Sequence, residues 1–331
     1  MRIVFMGTPE FAVPSLKALV EGGYSVVGVV TQPDRPKGRG KKLAMSPVKE
    51  YAVAQGIPVL QPERISRDGY EDLLNLHPDL CVTAAFGQIL SQKILDIPPL
   101  GTINVHASLL PKHRGSAPIA WAMVQGDKTT GVTTMMTARG IDNGDMLLKA
   151  ETPIDPAETC GELTARLSKI GAKLLIDTLK ALEAGTLERI PQDESQMTYD
   201  PKLEKDMGVI DWTQDAADIV HRIHGLNPWP GCTSAAPGGT WKLLRAEVVD
   251  MSGQPGEVLA ADGKEGLIVV EIRVNVGLAH QIMAQIVAAG MNAVRVRQLQ
   301  VPGGKPMDAR DYLRGHAMAA GTMLKEDTEN E

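Results

Sequence analysis

The first thirty residues, "MRIVFMGTPEFAVPSLKALVEGGYSVVGVV" (Met1–Val30), decide the fold class. They contain a short apolar strand at "RIVF", a helical stretch from Pro9 to Glu21 and a second apolar strand at "SVVGVV". Further β-rich runs follow at "PVL", "LCVTAA" and "GTINVH", separated by segments long enough for helices. This alternation predicts a parallel sheet covered by helices, which is an α/β domain.

The turn after the first strand lacks the pattern of a dinucleotide-binding loop. Gly7 follows the strand, but the G-x-G-x-x-G motif is absent. Pro9 removes an amide donor, and Glu10 brings a negative charge to the turn where a pyrophosphate would bind. Thr8 as N-cap and Pro9 at the first helical position explain the turn structurally. We therefore exclude a dinucleotide site there, while another ligand at the same sheet edge stays possible.

Length and composition indicate a two-domain globular protein. The chain has 331 residues, 22% of them charged, and a formal net charge of -6, so a polyanion would have to meet a local basic patch. No segment reaches the roughly 18 uninterrupted apolar residues of a membrane span, and the first residues do not resemble a secretory signal, so we expect a cytoplasmic protein. Cys81, Cys160 and Cys232 fit neither a disulfide framework nor a zinc site.

The second half of the chain changes from helix–strand alternation to short strands. Apolar residues at helical spacing predict a long helix from Glu158 to Glu183, and a charged, aperiodic run after it predicts a linker. The β-rich runs that follow favour a small barrel of the oligonucleotide-binding type, although other small β folds fit the same periodicity. We predict four parts: an α/β domain at 1–188, a linker at 189–207, a β-domain at 208–316 and an acidic tail at 317–331.

Two polar residues, Asn104 and His106, lie inside the strand-like run "GTINVH". Side chains alternate along a strand, so these two project to the same face. The strand ends directly after them, and ligands of open α/β sheets bind outside the carboxyl ends of strands. An amide donor beside an imidazole can stabilise an oxyanion and move a proton, so the pair predicts a catalytic site. The alternative is a pair of core polar groups bonded to the backbone.

A third candidate, Asp142, lies in the turn "IDNGDML" together with Asp145. A carboxylate near an imidazole can orient it and keep it protonated as a general acid. Asp-Asn-Gly sequences are also favoured in tight turns whatever the function. Taken alone, this turn favours the structural interpretation.

A basic loop follows the second strand, in "QPDRPKGRGKKLAMSP" (Gln32–Pro47). Its five basic residues are Arg35, Lys37, Arg39, Lys41 and Lys42. A basic loop in an acidic protein predicts contact with a phosphate backbone. The alternative is solvated charge on a mobile loop.

The remaining polar residues give weaker signals. His221 and His224 are spaced i, i+3 on a short predicted helix but have no third ligand at helical spacing, so we predict no metal site. From Lys205 to His316 there are 11 Lys or Arg residues and 12 Asp or Glu residues. A contact of the β-domain with a polyanion must therefore be local, and the candidates for it are Arg295, Arg297 and Lys305.

Taken in order, these motifs resemble those of the formyltransferases that use 10-formyltetrahydrofolate. The resemblance rests on Asn104-x-His106, Ser108-Leu109-Leu110-Pro111-x-x-Arg114-Gly115 and Asp142-x-Gly144-Asp145. The stretches "FMGTPEFAVPSL", "TQPDRPKGRGKKL", "PQDESQMTYDPKL", "IDW" and "NPWPG" are similar to the members of that family which act on methionyl-tRNA. The resemblance runs from Met1 to about Val269 and resumes from Val294 to Leu313.

The resemblance implies a Rossmann-like formyltransferase domain followed by a small barrel like the oligonucleotide-binding fold. It implies that Asn104, His106 and Asp142 are catalytic and that no metal takes part. For the folate co-substrate it implies Ser108, Leu109, Leu110, Pro111, Phe86, Gly87, Gln88, Ile89 and Leu90. It also implies that Arg39 guides the acceptor end of transfer RNA, and we expect the rest of the basic loop to contact the same arm.

The implied function is transfer of the formyl group of 10-formyltetrahydrofolate to the α-amino group of methionyl-initiator tRNA, by a monomer. The alternative within the same chemistry is formylation of a small amine, such as glycinamide ribonucleotide or an amino sugar. A small acceptor needs neither the basic loop nor a second domain. A non-catalytic nucleic-acid-binding protein is a third interpretation, which would leave Asn104, His106 and Asp142 without a role.

One segment, Val270–Ala293, departs from the family pattern. Its "LAHQIMAQIVAAG" half is apolar, carries few charges and has helical potential. A helix packed on the barrel, a surface for a partner and a sequence anomaly that damages a strand are the three interpretations that the residues allow.

Overall fold

The computed structural model describes residues 1–37, 42–251, 257–262, 266–270 and 292–324. The chain forms two compact units. The first comprises Met1–Pro118, Thr129–Pro153 and Thr164–Pro201, and the second comprises Ile119–Lys128, Ile154–Leu163 and Lys202–Glu331. Each unit is therefore assembled from three separate stretches of chain.

The first unit is built on a seven-stranded sheet. The strands of this unit, including two short pairs outside the large sheet (β3 with β4, and β8 with β11), are β1 (Arg2–Gly7), β2 (Ser25–Val30), β3 (Arg35–Lys37), β4 (Lys42–Ala44), β5 (Val59–Leu60), β6 (Leu80–Ala84), β7 (Thr102–His106), β8 (Arg114–Gly115), β9 (Thr129–Met136), β10 (Met146–Pro153) and β11 (Tyr199–Asp200). The large sheet has the order β10-β9-β7-β6-β1-β2-β5. Strands β5, β2, β1, β6 and β7 are parallel, and β9 is antiparallel to β7 and β10. This confirms the predicted parallel α/β sheet.

Two of the helices in residues 1–183 were predicted from the sequence. The helices described in that range are α1 (Val13–Glu21), α2 (Pro47–Ala54), α3 (Ile65–Asp68), α4 (Tyr70–Asn75), α5 (Gln92–Leu95), α6 (Pro118–Val124) and α7 (Cys160–Glu183). The helix predicted from Pro9 begins as a 3-10 turn at Glu10–Ala12 and continues as α1, and α7 confirms the long helix predicted to end at Glu183. Ser46 caps α2 by accepting a hydrogen bond from the Lys49 amide at 3.1 Å.

The central strands bring several loops to one edge of the sheet. Strand β1 is buried on both faces, from Ile3 to Met6, as expected for a parallel strand between helical layers. Gly7 of β1 pairs with Ala84 of β6, and Thr83 pairs with Asn104 of β7. Because these strands are parallel and in register, the loops that leave β1, β6 and β7 begin at the same edge.

The second unit contains an antiparallel sheet. Its strands are β12 (Cys232–Ala236), β13 (Gly239–Val249), β14 (Val258–Asp262), β15 (Gly266–Val270), β16 (Ala293–Gln300) and β17 (Met307–Asp308). The order is β12-β13-β16-β15-β14, with β17 paired to β16. Two helices, α8 (Ala216–Gly225) and α9 (Ala309–Gly315), belong to the same unit. A small antiparallel β-domain after a mostly parallel sheet is the predicted order of the fold.

The first part of the predicted linker makes specific contacts with the first unit, although most residues between 189 and 207 are exposed. Residues up to Pro201 belong to the first unit, where Tyr199–Asp200 forms β11 and pairs in parallel with β8. These contacts are made with residues distant in the sequence, and such contacts leave no periodic pattern by which they could be predicted.

The predicted acidic tail also begins with ordered structure. The Gly321 amide donates to the Val258 carbonyl at 2.9 Å, and the Val258 amide donates to the Thr322 carbonyl at 2.8 Å. Leu324 is buried, so residues 321–324 complete the fold instead of trailing from it. The atypical segment predicted at 270–293 lies outside the described residues, apart from Val270, Asn292 and Ala293.

The buried imidazole of His224 is expected to make the stability of the second unit depend on pH. Its ring is 4% exposed, and its Nε2 accepts a hydrogen bond from the Ala246 amide at 3.2 Å. Burial lowers the pKa of His224 below its ordinary value. Its contribution to stability is therefore fully present above the unfolded pKa of about 6.5 and is lost as the pH falls through the folded value.

Urea unfolding of the wild type and of His224→Gln, at about pH 7.5 and about pH 5.5, measures this contribution. Glutamine offers a neutral acceptor to the Ala246 amide but does not titrate. We expect the wild type to lose more stability between the two pH values than the variant does. Equal losses would show that His224 does not cause the pH dependence.

Candidate active site

The amide of Asn104 is oriented by a neighbouring strand. Asn104 is half-buried on β7, and its register partner on β6, Thr83, donates its hydroxyl to Asn104 Oδ1 at 2.9 Å. This bond identifies the carbonyl oxygen of the side chain. The amide nitrogen, Nδ2, is then the atom of Asn104 that can donate to a ligand.

His106 ends β7 with a ring that is only 6% exposed. Its Nε2 lies 2.9 Å from the backbone oxygen of His113. Because a carbonyl oxygen only accepts, Nε2 carries a proton. The other nitrogen, Nδ1, lies 3.6 Å from Asp142 Oδ1. Nδ1 is therefore the nitrogen that can gain or release a proton during a reaction.

Asp142 reaches the histidine from the turn between β9 and β10. Its backbone has φ of +48°, in the left-handed region that side-chain-bearing residues seldom adopt. Its Oδ2 accepts a hydrogen bond from the Gly115 amide at 2.9 Å, which leaves Oδ1 facing His106. The structure thus brings Asp142 to the imidazole, as predicted, across 36 residues of sequence.

Together these three side chains form a site suited to acyl transfer. The separation of Nδ1 and Oδ1 is an ion-pair distance and exceeds a hydrogen bond. A proton on Nδ1 can therefore be offered to a ligand while the carboxylate remains the charge partner of the ring. Asn104 adds a neutral donor on the same face of the strand. An amide donor and a proton-holding imidazole are the groups that stabilise a tetrahedral oxyanion.

The loop Ser108–Pro111 is anchored to the sheet by Thr133. Thr133 lies on β9, opposite His106 in register. Its hydroxyl donates to the Ser108 carbonyl at 2.7 Å and accepts from the Leu110 amide at 3.2 Å. A single side chain thus satisfies two backbone groups of the loop and fixes its path beside His106.

A second anchor holds the same loop from β10. Lys149 Nζ donates to the Leu110 carbonyl at 2.5 Å, and the Leu110 side chain is buried against Met135 and Met146. Leu109 and Pro111 are half-buried. Of the residues predicted to bind folate in this loop, Ser108 and Leu110 are structurally fixed, and Leu109 and Pro111 keep part of their surface accessible.

Replacing Thr133 with valine should lower the free energy of unfolding by about 1–3 kcal/mol, because a buried carbonyl and a buried amide lose their partner. Urea denaturation measures this difference. Thr102→Val, in the neighbouring strand β7, is the matched control. Thr102 is 1% exposed, and its hydroxyl has no hydrogen-bond partner among the residues that the structure describes. Its replacement should be nearly neutral, and equal losses for the two variants would contradict the anchoring role of Thr133.

The other segment predicted to bind folate, Phe86–Leu90, follows β6. The side chains of Phe86 and Leu90 are buried in the apolar core, whereas Ile89 is 82% exposed. The Thr8 hydroxyl and the Gln32 side-chain amide donate to the Phe86 carbonyl at 3.1 and 3.3 Å. The segment is therefore fixed at its start and presents one apolar side chain to the solvent.

Two residues in the middle of that segment have structural roles. Gly87 has φ of +79°, a conformation that favours glycine. The Gln88 side chain accepts from the Ile65 amide at 2.7 Å and donates to the Pro62 carbonyl at 3.1 Å. Gln88 is thus engaged with the protein, so a ligand would meet mainly the backbone of this segment and Ile89.

The basic loop begins on an ordered base. Asp34 accepts hydrogen bonds from Lys49 Nζ at 2.7 Å and from Gln61 Nε2 at 2.9 Å. Strands β3 and β4 then form an antiparallel ribbon in which Arg35, exposed at the surface, pairs with Ala44. The predictions for Arg39 and Lys41, and those for the side chains of Lys37 and Lys42, lie outside the described part of the chain.

Comparison with known sequences identifies the family of this chain. A family model described as formyl transferase matches residues 1–179, and one for the formyl transferase C-terminal domain matches residues 202–317. The methionyl-tRNA formyltransferase of Acetivibrio thermocellus is 46% identical over 98% of this chain and 99% of its own length. The methionyl-tRNA formyltransferase of Symbiobacterium thermophilum is 47% identical over 97% of this chain and 94% of its own length. The chain belongs to the methionyl-tRNA formyltransferase family.

Solved structures share the fold of this family member at lower sequence identity. The N-formyltransferase from Helicobacter canadensis, in complex with folinic acid and dTDP-3-aminofucose, has a TM-score of 0.64 and 16% identity, and covers 89% of this chain and 98% of that one. HypX from Aquifex aeolicus, in complex with tetrahydrofolic acid, has a TM-score of 0.59 and 20% identity. The match covers 99% of this chain and 48% of HypX. At these identities the likeness shows the fold.

Several residues around the site of this methionyl-tRNA formyltransferase family member were missed by the sequence analysis. They make hydrogen bonds to Asn104, His106 or Asp142, to the loop after His106, or to one another, and they are Thr83, His113, Arg114, Thr133, Gln192, Thr198 and Asp200. Arg114 and the stretch "PQDESQMTYDPKL" stand among the motifs that carried the family resemblance, so the sequence marked them without giving them a role.

Two other kinds of chemical centre, a metal cluster and a reactive thiol at Cys81 or Cys232, find no support in the described residues. These residues contain no cluster of three His, Cys, Asp or Glu side chains that could hold a metal ion. Burial raises the pKa of the Cys81 and Cys232 thiols to about 12, so both are unreactive at neutral pH. Among the helices described, none is long and apolar enough to cross a membrane.

Proposed function

We propose that this protein transfers the formyl group of 10-formyltetrahydrofolate to the α-amino group of methionyl-initiator tRNA, giving formylmethionyl-tRNA for translation initiation. The family supports this proposal, because relatives 46% and 47% identical over nearly the whole chain are named methionyl-tRNA formyltransferases. The single observation that carries it is the contact of His106 with Asp142 beside Asn104, at the edge where β6 and β7 end.

In the proposed mechanism each catalytic side chain has one task. The amine attacks the formyl carbon, and negative charge develops on the formyl oxygen. Asn104 Nδ2 and the proton on His106 Nδ1 donate to that oxygen. As the tetrahedral intermediate collapses, the bond between the formyl carbon and the folate nitrogen breaks. The proton that the attacking amine loses passes to that nitrogen, and Asp142, beside the His106 ring, assists this transfer. No metal is required, because the formyl group is already activated on its donor.

The two predicted folate segments fit a formyl donor bound at this edge. Ser108–Pro111 and Phe86–Leu90 follow the adjacent parallel strands β7 and β6, so both begin where Asn104 and His106 lie. Exposed Ile89 offers apolar surface to a flat ring, and the backbone of the two segments offers polar groups. We assign the folate donor to the space that these segments border.

For the acceptor arm of the tRNA we propose the basic loop. Its five basic residues, Arg35, Lys37, Arg39, Lys41 and Lys42, can neutralise phosphates in an otherwise acidic protein. The ordered base at Asp34 and Lys49 gives the loop a fixed origin. We expect a monomer that acts in the cytoplasm, where translation begins.

A formylation assay tests this function. The protein is incubated with 10-formyltetrahydrofolate and, in parallel, with methionyl-initiator tRNA, methionyl-elongator tRNA or glycinamide ribonucleotide. We expect formyl-methionine from the initiator tRNA. Product from the small amine alone would favour the alternative acceptor, and no product from any acceptor would refute formyl transfer.

A further inference from the structure

Gln192 binds the turn that carries Asp142. Its Nε2 donates to the Asp142 carbonyl at 2.7 Å and to the Gly144 carbonyl at 2.8 Å. Its Oε1 accepts from Arg114 Nε at 3.0 Å. The guanidinium only donates and the two carbonyls only accept, so the chemistry fixes the orientation of the Gln192 amide. One side chain therefore spans the turn on either side of Asn143.

This bond matters because the Asp142 backbone is strained. At φ of +48° Asp142 is in the left-handed region, which aspartate adopts more readily than most residues but which is still unfavourable, so contacts that hold the turn there matter. Gln192 bonds the carbonyl of Asp142 itself, while the Gly115 amide bonds its Oδ2. Without Gln192 the turn could relax, and Oδ1 would leave its position 3.6 Å from His106 Nδ1.

Gln192 is itself held in place by Arg114. Arg114 is 5% exposed, and its two terminal nitrogens donate to both carboxylate oxygens of Glu194, at 3.0 and 2.7 Å. The hydrogen bond from Arg114 lowers the pKa of the Glu194 carboxyl below its ordinary value. A buried guanidinium with fixed partners can hold Gln192 in one rotamer.

The end of the same stretch holds the partner of His106. The His113 carbonyl accepts the proton of His106 Nε2, and the His113 amide donates to Thr198 Oγ1 at 2.7 Å. The His113 ring binds Asp200 through Nδ1 at 2.8 Å, and both side chains are buried. Strand β11, which contains Asp200, pairs with β8 directly after His113.

We propose that Gln192–Asp200 is a positioning segment for the catalytic pair. Gln192 holds Asp142 in its strained turn, and Thr198 and Asp200 hold the loop whose carbonyl fixes the proton on His106 Nε2. These residues touch no reacting atom and act through Asp142 and His106. The proposal rests on the proposed function, because the effect of the segment is expressed as the rate of formyl transfer.

The test replaces the donor of Gln192 without changing its size. In Gln192→Glu a carboxylate oxygen replaces the Nε2 donor and faces the carbonyl oxygens of Asp142 and Gly144. The hydrogen bonds to these two carbonyls are therefore lost, while the hydrogen bond from Arg114 stays. We expect kcat for formylation of methionyl-initiator tRNA to fall roughly 10- to 100-fold, the scale of a misplacement of about 1 Å. KM for both substrates should stay within about twofold, since no binding group changes.

Gln196→Glu is the matched control. It makes the same change four residues on, at an exposed side chain that donates only to Asp193 within the described residues. It should leave kcat unchanged. Equal losses in Gln192→Glu and Gln196→Glu would overturn the positioning role, because they would show a general effect of added charge.

A double-mutant cycle separates positioning from folding. If Gln192 acts through Asp142, then Gln192→Glu should cost less than about threefold in an Asp142→Asn background, because the group that it positions is already gone. A full loss in that background would overturn the proposal. If Gln192→Glu does not fold, Thr198→Val takes its place with a smaller expected loss of roughly 3- to 10-fold, and normal kcat in that variant overturns the proposal.

The formylation activity of the wild type separates the proposed function from the proposed positioning segment. A wild type that formylates no acceptor refutes the proposed function whatever the variants do. An active wild type whose Gln192→Glu variant is equally active leaves the function standing and overturns the positioning segment alone.

Discussion

Replacing His106 or Asp142 with alanine should lower the turnover of formyl transfer by at least about 100-fold, the usual scale for groups that handle protons. Alanine at 106 removes the Nδ1 proton that we assign to the formyl oxygen. The Asp142→Ala substitution removes the carboxylate that lies 3.6 Å from His106 Nδ1. Single-turnover rates with saturating 10-formyltetrahydrofolate and methionyl-initiator tRNA measure the chemical step without product release.

His106→Gln distinguishes proton handling from structure. His106 is buried and donates from Nε2 to the His113 carbonyl, so alanine also removes a hydrogen bond that supports the loop. Glutamine can still donate to that carbonyl, but it cannot carry a proton to or from a ligand. We expect His106→Gln to melt closer to the wild type than His106→Ala does, and to be as slow. A rate within about fivefold of the wild type would remove His106 from the proposed chemistry.

Two of the residues that we propose to be catalytic, Asn104 and His106, could be picked out from the sequence because their signals are local. Asn104 and His106 are two polar residues on one face of an apolar strand, and the strand ends directly after them. The parallel sheet was predictable from the sequence for the same reason, since β1 and β2 are apolar runs on either side of a helix. Asp142 needed the family resemblance, because an Asp-Asn-Gly turn has a structural explanation of its own.

The supporting residues were not predictable, because their contacts join distant parts of the chain. Gln192 binds Asp142 across 50 residues, and Asp200 binds His113 across 87. Each contact uses a side chain in a charged stretch without periodicity, which is also the pattern of a linker. A hydrogen bond from a side chain to a distant backbone group changes neither hydrophobic spacing nor turn propensity. Only the fold brings these residues to the site.

Asn104→Asp should slow formyl transfer roughly 100- to 1000-fold, because it removes an oxyanion donor and puts negative charge in its place. Thr83 donates to Asn104 Oδ1, so Nδ2 is the atom directed to the ligand. Aspartate has the same shape and keeps the acceptor for Thr83, but it has no Nδ2 to donate. Single-turnover rates should fall while the affinity for 10-formyltetrahydrofolate, measured by calorimetry, changes little, since the donor acts on charge that develops only in the transition state.

Thr83→Val tests whether the orientation of the amide matters as well as its presence. Valine keeps the volume of Thr83 but releases Oδ1, so the amide of Asn104 can rotate and offer its oxygen to the site. We expect a loss of roughly 3- to 10-fold, smaller than that of Asn104→Asp, because the donor is still available in some rotamers. In an Asn104→Ala background Thr83→Val should have little further effect, since Thr83 then has no amide to orient. A loss that persists there would mean that Thr83 contributes to catalysis by a route other than Asn104.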